Sequence, residues 1–153
     1  MHTGNNIIIE AHRTDIFAVV SDLARWPERL PHYRYVRLIG KDGQRDVLAM
    51  SAVRGRIPVS WTAAYEADRD AMELRFEHLT KWTKGMTVVW TLTPTRDATR
   101  VEIAHHLKFR VPLLAWLAEP IIGGFIGAIA TRTLDEFKKF VESGSRDAAR
   151  RDA

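Results

Sequence analysis

The sequence predicts one α+β domain in which a single long helix is laid against an antiparallel sheet. Six strand-like segments follow one another between Tyr33 and Phe109, and their short connections favour antiparallel neighbours. Helical periodicity takes over from Pro120 to Val141, with Ile122, Ile126, Ala130, Leu134, Phe137 and Val141 on one stripe. The chain has 153 residues, of which 46% are hydrophobic and 27% charged, the size and mixture of one globular domain with its own core.

Taken in order, Asn6–Glu10 is a short β-branched run and reads as a first strand. Thr14 is a fair N-cap for a helix whose apolar residues Ile16, Val19, Val20 and Leu23 recur at helical spacing. Trp26-Pro27 ends it, and Pro27–Leu30 forms one more turn before Pro31. The six later strands are expected at Tyr33–Ile39, Arg45–Val53, Ile57–Glu66, Met72–His78, Met86–Thr93 and Arg100–Phe109, with Gly40-Lys41-Asp42-Gly43 as hairpin chemistry between the first two. Residues 1–142 therefore form the domain. Ser143–Ala153, with no apolar anchor, is expected to be a flexible basic tail.

One stretch calls for a membrane test. Val111–Ala130 carries a single charge, Glu119, but Glu119-Pro120 splits the run and proline favours the first turn of a new helix. A buried helix gripped by the sheet is expected rather than a span. The N-terminus has no cationic start followed by a long apolar run, so no secretory signal is expected and the location is read as cytoplasmic.

Alternation assigns the inward faces of four strands. They carry Leu74, Phe76 and His78; Val88, Trp90 and Leu92; Val101, Ile103, His105, Leu107 and Phe109; and Ile57, Val59, Trp61, Ala63 and Tyr65. Such a set is either a core whose polar tips are satisfied or the wall of a ligand cavity with a few placed polar groups. Gly123, Gly124 and Gly127 sit early in the long helix, where glycine lets the sheet approach, leaves room for a ligand or packs a dimer. His2 and His12 read as surface residues, while Trp82 and Trp116 fall where they either line an entrance or simply pack.

Much chemistry is excluded. The absence of cysteine removes thiol nucleophiles, disulfides and cysteine zinc sites. Adjacent His105 and His106 point to opposite faces of a strand, and no histidine pair has metal-binding helical spacing, so no metal is expected. The glycines match neither a phosphate loop nor a dinucleotide fingerprint, so no cofactor is expected. The net charge of +4 suits an anionic ligand or surface, but the scattered Lys and Arg do not form a nucleic-acid stripe.

The run Ile16–Tyr33, containing Asp22 and Trp26-Pro27, resembles the entry segment of the START-like helix-grip (SRPBCC) superfamily, in particular its bacterial polyketide cyclase/dehydrase and lipid-transport branch. Ser60–Ala63 and Arg100–His105 are similar to that family's fourth and last strands, and Glu119–Gly123 with Thr133-Leu134 and Phe137-Lys138 is similar to its long helix. The resemblance implies a seven-stranded antiparallel sheet curved around a long C-terminal helix, two short helices between strands 1 and 2, and a deep cavity. It further implies a hydrophobic ligand, aromatic or polyketide-like, and either cyclisation and dehydration or carriage of a lipid or quinone without catalysis. Under the cyclase reading His105 is the first candidate base and His78 the second, with Arg56 and Tyr65 able to polarise carbonyls. The ligand would rest on Trp61, Tyr65, Phe76, Trp90, Phe109, Gly123 and Phe125. An acyl-carrier protein or a membrane surface would be the delivering partner, and a homodimer is the alternative use of the helix glycines.

Overall fold

The computed structural model describes residues 1–109 and 112–153, the side chains of residues 112–114 apart. Seven strands, β1 (His2–Ile9), β2 (Tyr33–Asp42), β3 (Arg45–Arg54), β4 (Ile57–Asp68), β5 (Glu73–His78), β6 (Thr87–Pro94) and β7 (Thr99–His106), form one antiparallel sheet in the order β1-β7-β6-β5-β4-β3-β2. Between β1 and β2 lie α1 (Arg13–Val20), a 3₁₀ turn (Leu23–Arg25) and α2 (Trp26–Arg29), and α3 (Pro112–Arg151) closes the chain. The predicted class, the strand count and the two short helices between the first and second strands agree with this arrangement.

Local chemistry explains most boundaries. The β2–β3 hairpin turns through Gly43-Gln44, with Gly43 at φ +62°, so β2 runs through Gly40 and Lys41, which the sequence placed in the turn. The β3–β4 hairpin turns likewise through Gly55-Arg56, with Gly55 at φ +61°. Helix α1 is capped by His12 rather than by Thr14: the His12 Nδ1 accepts from the Thr14 backbone N–H at 3.2 Å. His12 and His2 are exposed, as expected.

Helix α3 departs further from expectation. It starts at Pro112 and passes through Pro120 without interruption, although a proline in a helix interior costs about 3 kcal/mol. The reason lies in packing. Ala118, Ile122 and Ile126 follow one another at i, i+4 spacing and all pack on the core, so one register buries residues on both sides of the proline. Glu119, half exposed, stands 3.3 Å from the Met1 amino group. At its far end the helix continues to Arg151, every residue from Ser143 onward being exposed.

The core fills the concave side of the sheet. Trp26 is its hub, with its indole N–H donating to the Val20 carbonyl at 2.9 Å. Its ring lies 5.2 Å from Tyr33 and 5.5 Å from both Trp90 and Phe137. Leu134, Phe137 and Val141 anchor the second half of α3 in this cluster. The first half instead crosses a cavity.

Candidate functional site

The strand registers bring the site together. Val88 on β6 pairs with Phe76 on β5 and with His105 on β7, while Trp61 on β4 pairs with Met50 on β3. Because alternation sends all five side chains to the concave face, they form a wall opposite the first half of α3. Ile122, Phe125, Ile126 and Ile129 of the helix form the facing wall. The space between them is a cavity of about 110 Å³. Buried residues such as Trp26, Phe76 and Trp90 close its inner end, and partly exposed Trp61, Ser60, Trp82 and Phe125 surround its mouth.

The walls are mainly aliphatic and aromatic, with polar groups only from Tyr33, Ser60, His78, Thr83, His105 and Thr133, apart from the indole N–H groups. Among the described residues no Asp, Glu, Lys or Arg lines the cavity. His78 stacks on Trp61, with 5.4 Å between centroids and 6° between planes, and its Nδ1 lies 2.8 Å from the Thr83 hydroxyl. Burial first, and His105 second, hold its pKa down at about 3. His105 is 7% exposed, and its Nδ1 has no hydrogen-bond partner among the described residues. Burial, reinforced by His2, holds its pKa at about 4. Both rings are uncharged at neutral pH.

A second polar cluster reaches the cavity through Tyr33 and Thr133. His32 is fully buried, and its Nε2 lies 2.8 Å from the Thr133 hydroxyl, which itself donates to the Ile129 carbonyl at 2.8 Å. The hydroxyl proton being committed, the network assigns Nε2–H as the donor and leaves Nδ1 of His32 as an unprotonated acceptor without a partner among the described residues. Burial lowers the His32 pKa to about 4, with Arg132 contributing in the same sense. Tyr33 adjoins Thr133, and burial raises its pKa, so it presents a hydroxyl that stays protonated.

Of the residues singled out from sequence, His105, His78, Trp61, Phe76, Trp90 and Phe125 line the cavity. Tyr65, Phe109 and Gly123 are not among its lining residues. Tyr65 packs on Phe76 at 4.9 Å with its hydroxyl 3.4 Å from the Ser21 carbonyl, and Phe109 packs against the core outside the cavity. Gly123 faces β1: a Cβ there would stand 3.3 Å from Met1 Sδ, so this glycine serves the close approach of helix to sheet. Arg56 is exposed in the β3–β4 turn. Trp82 lines the entrance, whereas Trp116 is 68% exposed. Within the apolar Val111–Ala130 stretch, residue 111 and the side chains of residues 112–114 lie outside the described residues. Sequence reasoning missed Tyr33, Thr133 and His32. Tyr33 and His32 sit where a turn meets a bulged strand and alternation gives no facing, and Thr133 reads as one more polar residue of a helix.

A sheet that curls round a long C-terminal helix and leaves an apolar cavity between them defines a START-like helix-grip domain. Residues 9–137 match the family described as polyketide cyclase/dehydrase and lipid transport, and the chain belongs to that family. It is 27% identical over 104 residues to a Streptomyces cyaneus protein whose name marks it as a candidate polyketide cyclase, an alignment covering 65% of this chain and 68% of that one. It is 30% identical over 100 residues to the granaticin polyketide synthase bifunctional cyclase/dehydratase of Streptomyces virginiae, covering 64% of this chain and only 33% of that longer protein. Among solved structures, the Zhui aromatase/cyclase from Streptomyces sp. R1128 superposes with a TM-score of 0.81 over 97% of each chain at 13% identity, a likeness of fold.

Proposed function

We propose that the cavity binds a hydrophobic poly-β-ketone and that His105 promotes its cyclisation and dehydration. The observation that carries this reading is His105, a buried imidazole that lines a mainly apolar cavity and whose Nδ1 has no hydrogen-bond partner among the described residues, since an unsatisfied polar group in such a place calls for a ligand group. An engineered cavity of about 150 Å³ takes up benzene. At about 110 Å³ the whole cavity is smaller than that, so it holds no more than about one forming ring and the remaining chain would extend through the mouth.

The chemistry follows from the polar groups. A neutral imidazole takes a proton from the methylene between two carbonyls, and the enolate carbon attacks a carbonyl farther along the chain. The imidazolium returns its proton to the new alkoxide, and a second proton abstraction with loss of hydroxide as water yields the double bond. Enolate and alkoxide oxygens need donors, and the protonated Tyr33 hydroxyl together with Ser60 and Thr83 can supply them. His78, stacked on Trp61, stands as the second proton carrier.

The test is turnover of a linear poly-β-ketone thioester by wild type and by His105→Gln, with His78→Gln alongside. His105→Gln is expected to lower kcat by about 10²-fold or more while retaining affinity for an unreactive aromatic probe. Unchanged turnover in both variants removes the catalytic role. If neither wild type nor variants turn the substrate over and a lipid or quinone co-purifies unchanged, the protein is a carrier, the second reading favoured by the almost wholly apolar lining.

A further inference from the structure

The end of the sheet at which the cavity opens also carries five cations. The β3–β4 hairpin supplies Arg54 and Arg56, the β5–β6 loop Lys81 and Lys84, and Lys108 follows β7; residues 54–61, 79–86 and 106–109 include no acid. These segments are neighbours, because Leu79 donates to the Thr62 carbonyl, Thr87 pairs with His106, and the Arg54 guanidinium lies 5.3 Å from the Phe125 ring of α3. All five cations are exposed, and none forms an ion pair among the described residues. The whole chain has a net charge of only +4, so these five cations alone exceed it.

Large apolar side chains stand among these charges. Ile57 at the hairpin tip is 61% exposed and Trp82 at the loop tip 62%, while Trp116, Leu117 and Ile121 form an exposed stripe on the first half of α3. The most apolar 18-residue window of α3 has the length and composition of a membrane span, yet only 22% of that window is buried. Separate tips carrying tryptophan and aliphatic groups, ringed by lysine and arginine, suit shallow insertion among charged headgroups better than a flat protein contact. Trp82 both lines the cavity and faces outward, so an apolar path joins the outside to the ligand space.

We infer that this end of the molecule docks on an anionic lipid bilayer, with Trp82 and Trp116 in the headgroup layer and the cavity mouth facing the lipid. The inference rests on the ligand-binding reading for its purpose, since docking lets an apolar molecule enter without crossing water. The test is co-sedimentation of the full chain with phosphatidylcholine vesicles, with and without phosphatidylglycerol, at low and high salt. Binding is expected only with phosphatidylglycerol and is expected to weaken with salt. Lys81→Gln with Lys84→Gln should lower the partition coefficient by about 30-fold. Brominated lipid should quench the wild-type tryptophan emission more than that of a Trp82→Phe, Trp116→Phe variant. Salt-insensitive binding, quenching as strong in that variant as in the wild type, or absence from every vesicle pellet overturns the inference. In the last case, salt-sensitive binding of an acidic carrier protein assigns the surface to protein docking, and concentration-dependent dimerisation assigns it to a second copy. An aromatic probe titrated without vesicles separates the two failures, because loss of cavity binding with vesicle binding intact sinks only the ligand reading.

Discussion

At His105 the chain keeps an imidazole uncharged inside an apolar wall, and two further buried histidines share that condition. Their folded pKa values of about 4 for His32 and His105 and about 3 for His78 lie below the ordinary 6.5. The unfolded chain therefore binds more protons than the folded one between these limits, and stability falls as pH falls through 6.5 toward 4. The loss is of order 2–3 kcal/mol per ring by pH 4, and it stops growing below the folded pKa. Urea midpoints measured at pH 7 and pH 5, where most carboxylates are still ionised, should drop on acidification, and His78→Gln should flatten the slope. Midpoints that do not move with pH would show that these rings are not buried as described. Alternation named His105 and His78 because regular strands carry them. His32 escaped because it lies in the irregular entry to β2, held by a helix residue one hundred and one positions away.

The elements show where local rules stop. Strand faces on β5, β6 and β7 followed from period-two alternation alone, since each strand buries one side. Strand β3 gave no such partition, because Ser51 is buried as well as Met50 and Ala52. Pro120 was misread for a physical reason: the proline rule is local, whereas the continuous stripe of Ala118, Ile122 and Ile126 is settled by tertiary burial. The helix glycines provide a contrast at this scale. Gly123 lies against Met1 and Thr3, so Gly123→Leu should push α3 off β1 and destabilise by about 1–3 kcal/mol. Gly124 has open space beside it, so Gly124→Ala should stabilise by up to about 1 kcal/mol through helix propensity. Thermal denaturation of the two variants checks both signs, and equal shifts would refute the assignment of their faces.

For the whole molecule, element order and apolar patterning were enough to read an antiparallel sheet with one long helix laid against it, and the resemblance of Ile16–Tyr33 and of the long helix to the START-like superfamily supplied the helix-grip arrangement. Whether the interior was filled or hollow was not legible. Trp61, Phe76 and Trp90 suit both cases, and the difference lies in how far the first half of α3 stands from the sheet, a distance no pattern encodes. The central claim is that this space receives a ligand, and ligand binding should also raise the melting temperature by mass action. The most direct measurement is quenching of tryptophan emission on titration with a hydroxylated polycyclic aromatic, for wild type and for Ile129→Trp, which fills the cavity from the helix side. The account predicts saturable one-to-one quenching in the wild type and its loss in a folded Ile129→Trp protein. Equal binding by both proteins, or no saturation in the wild type, would contradict it.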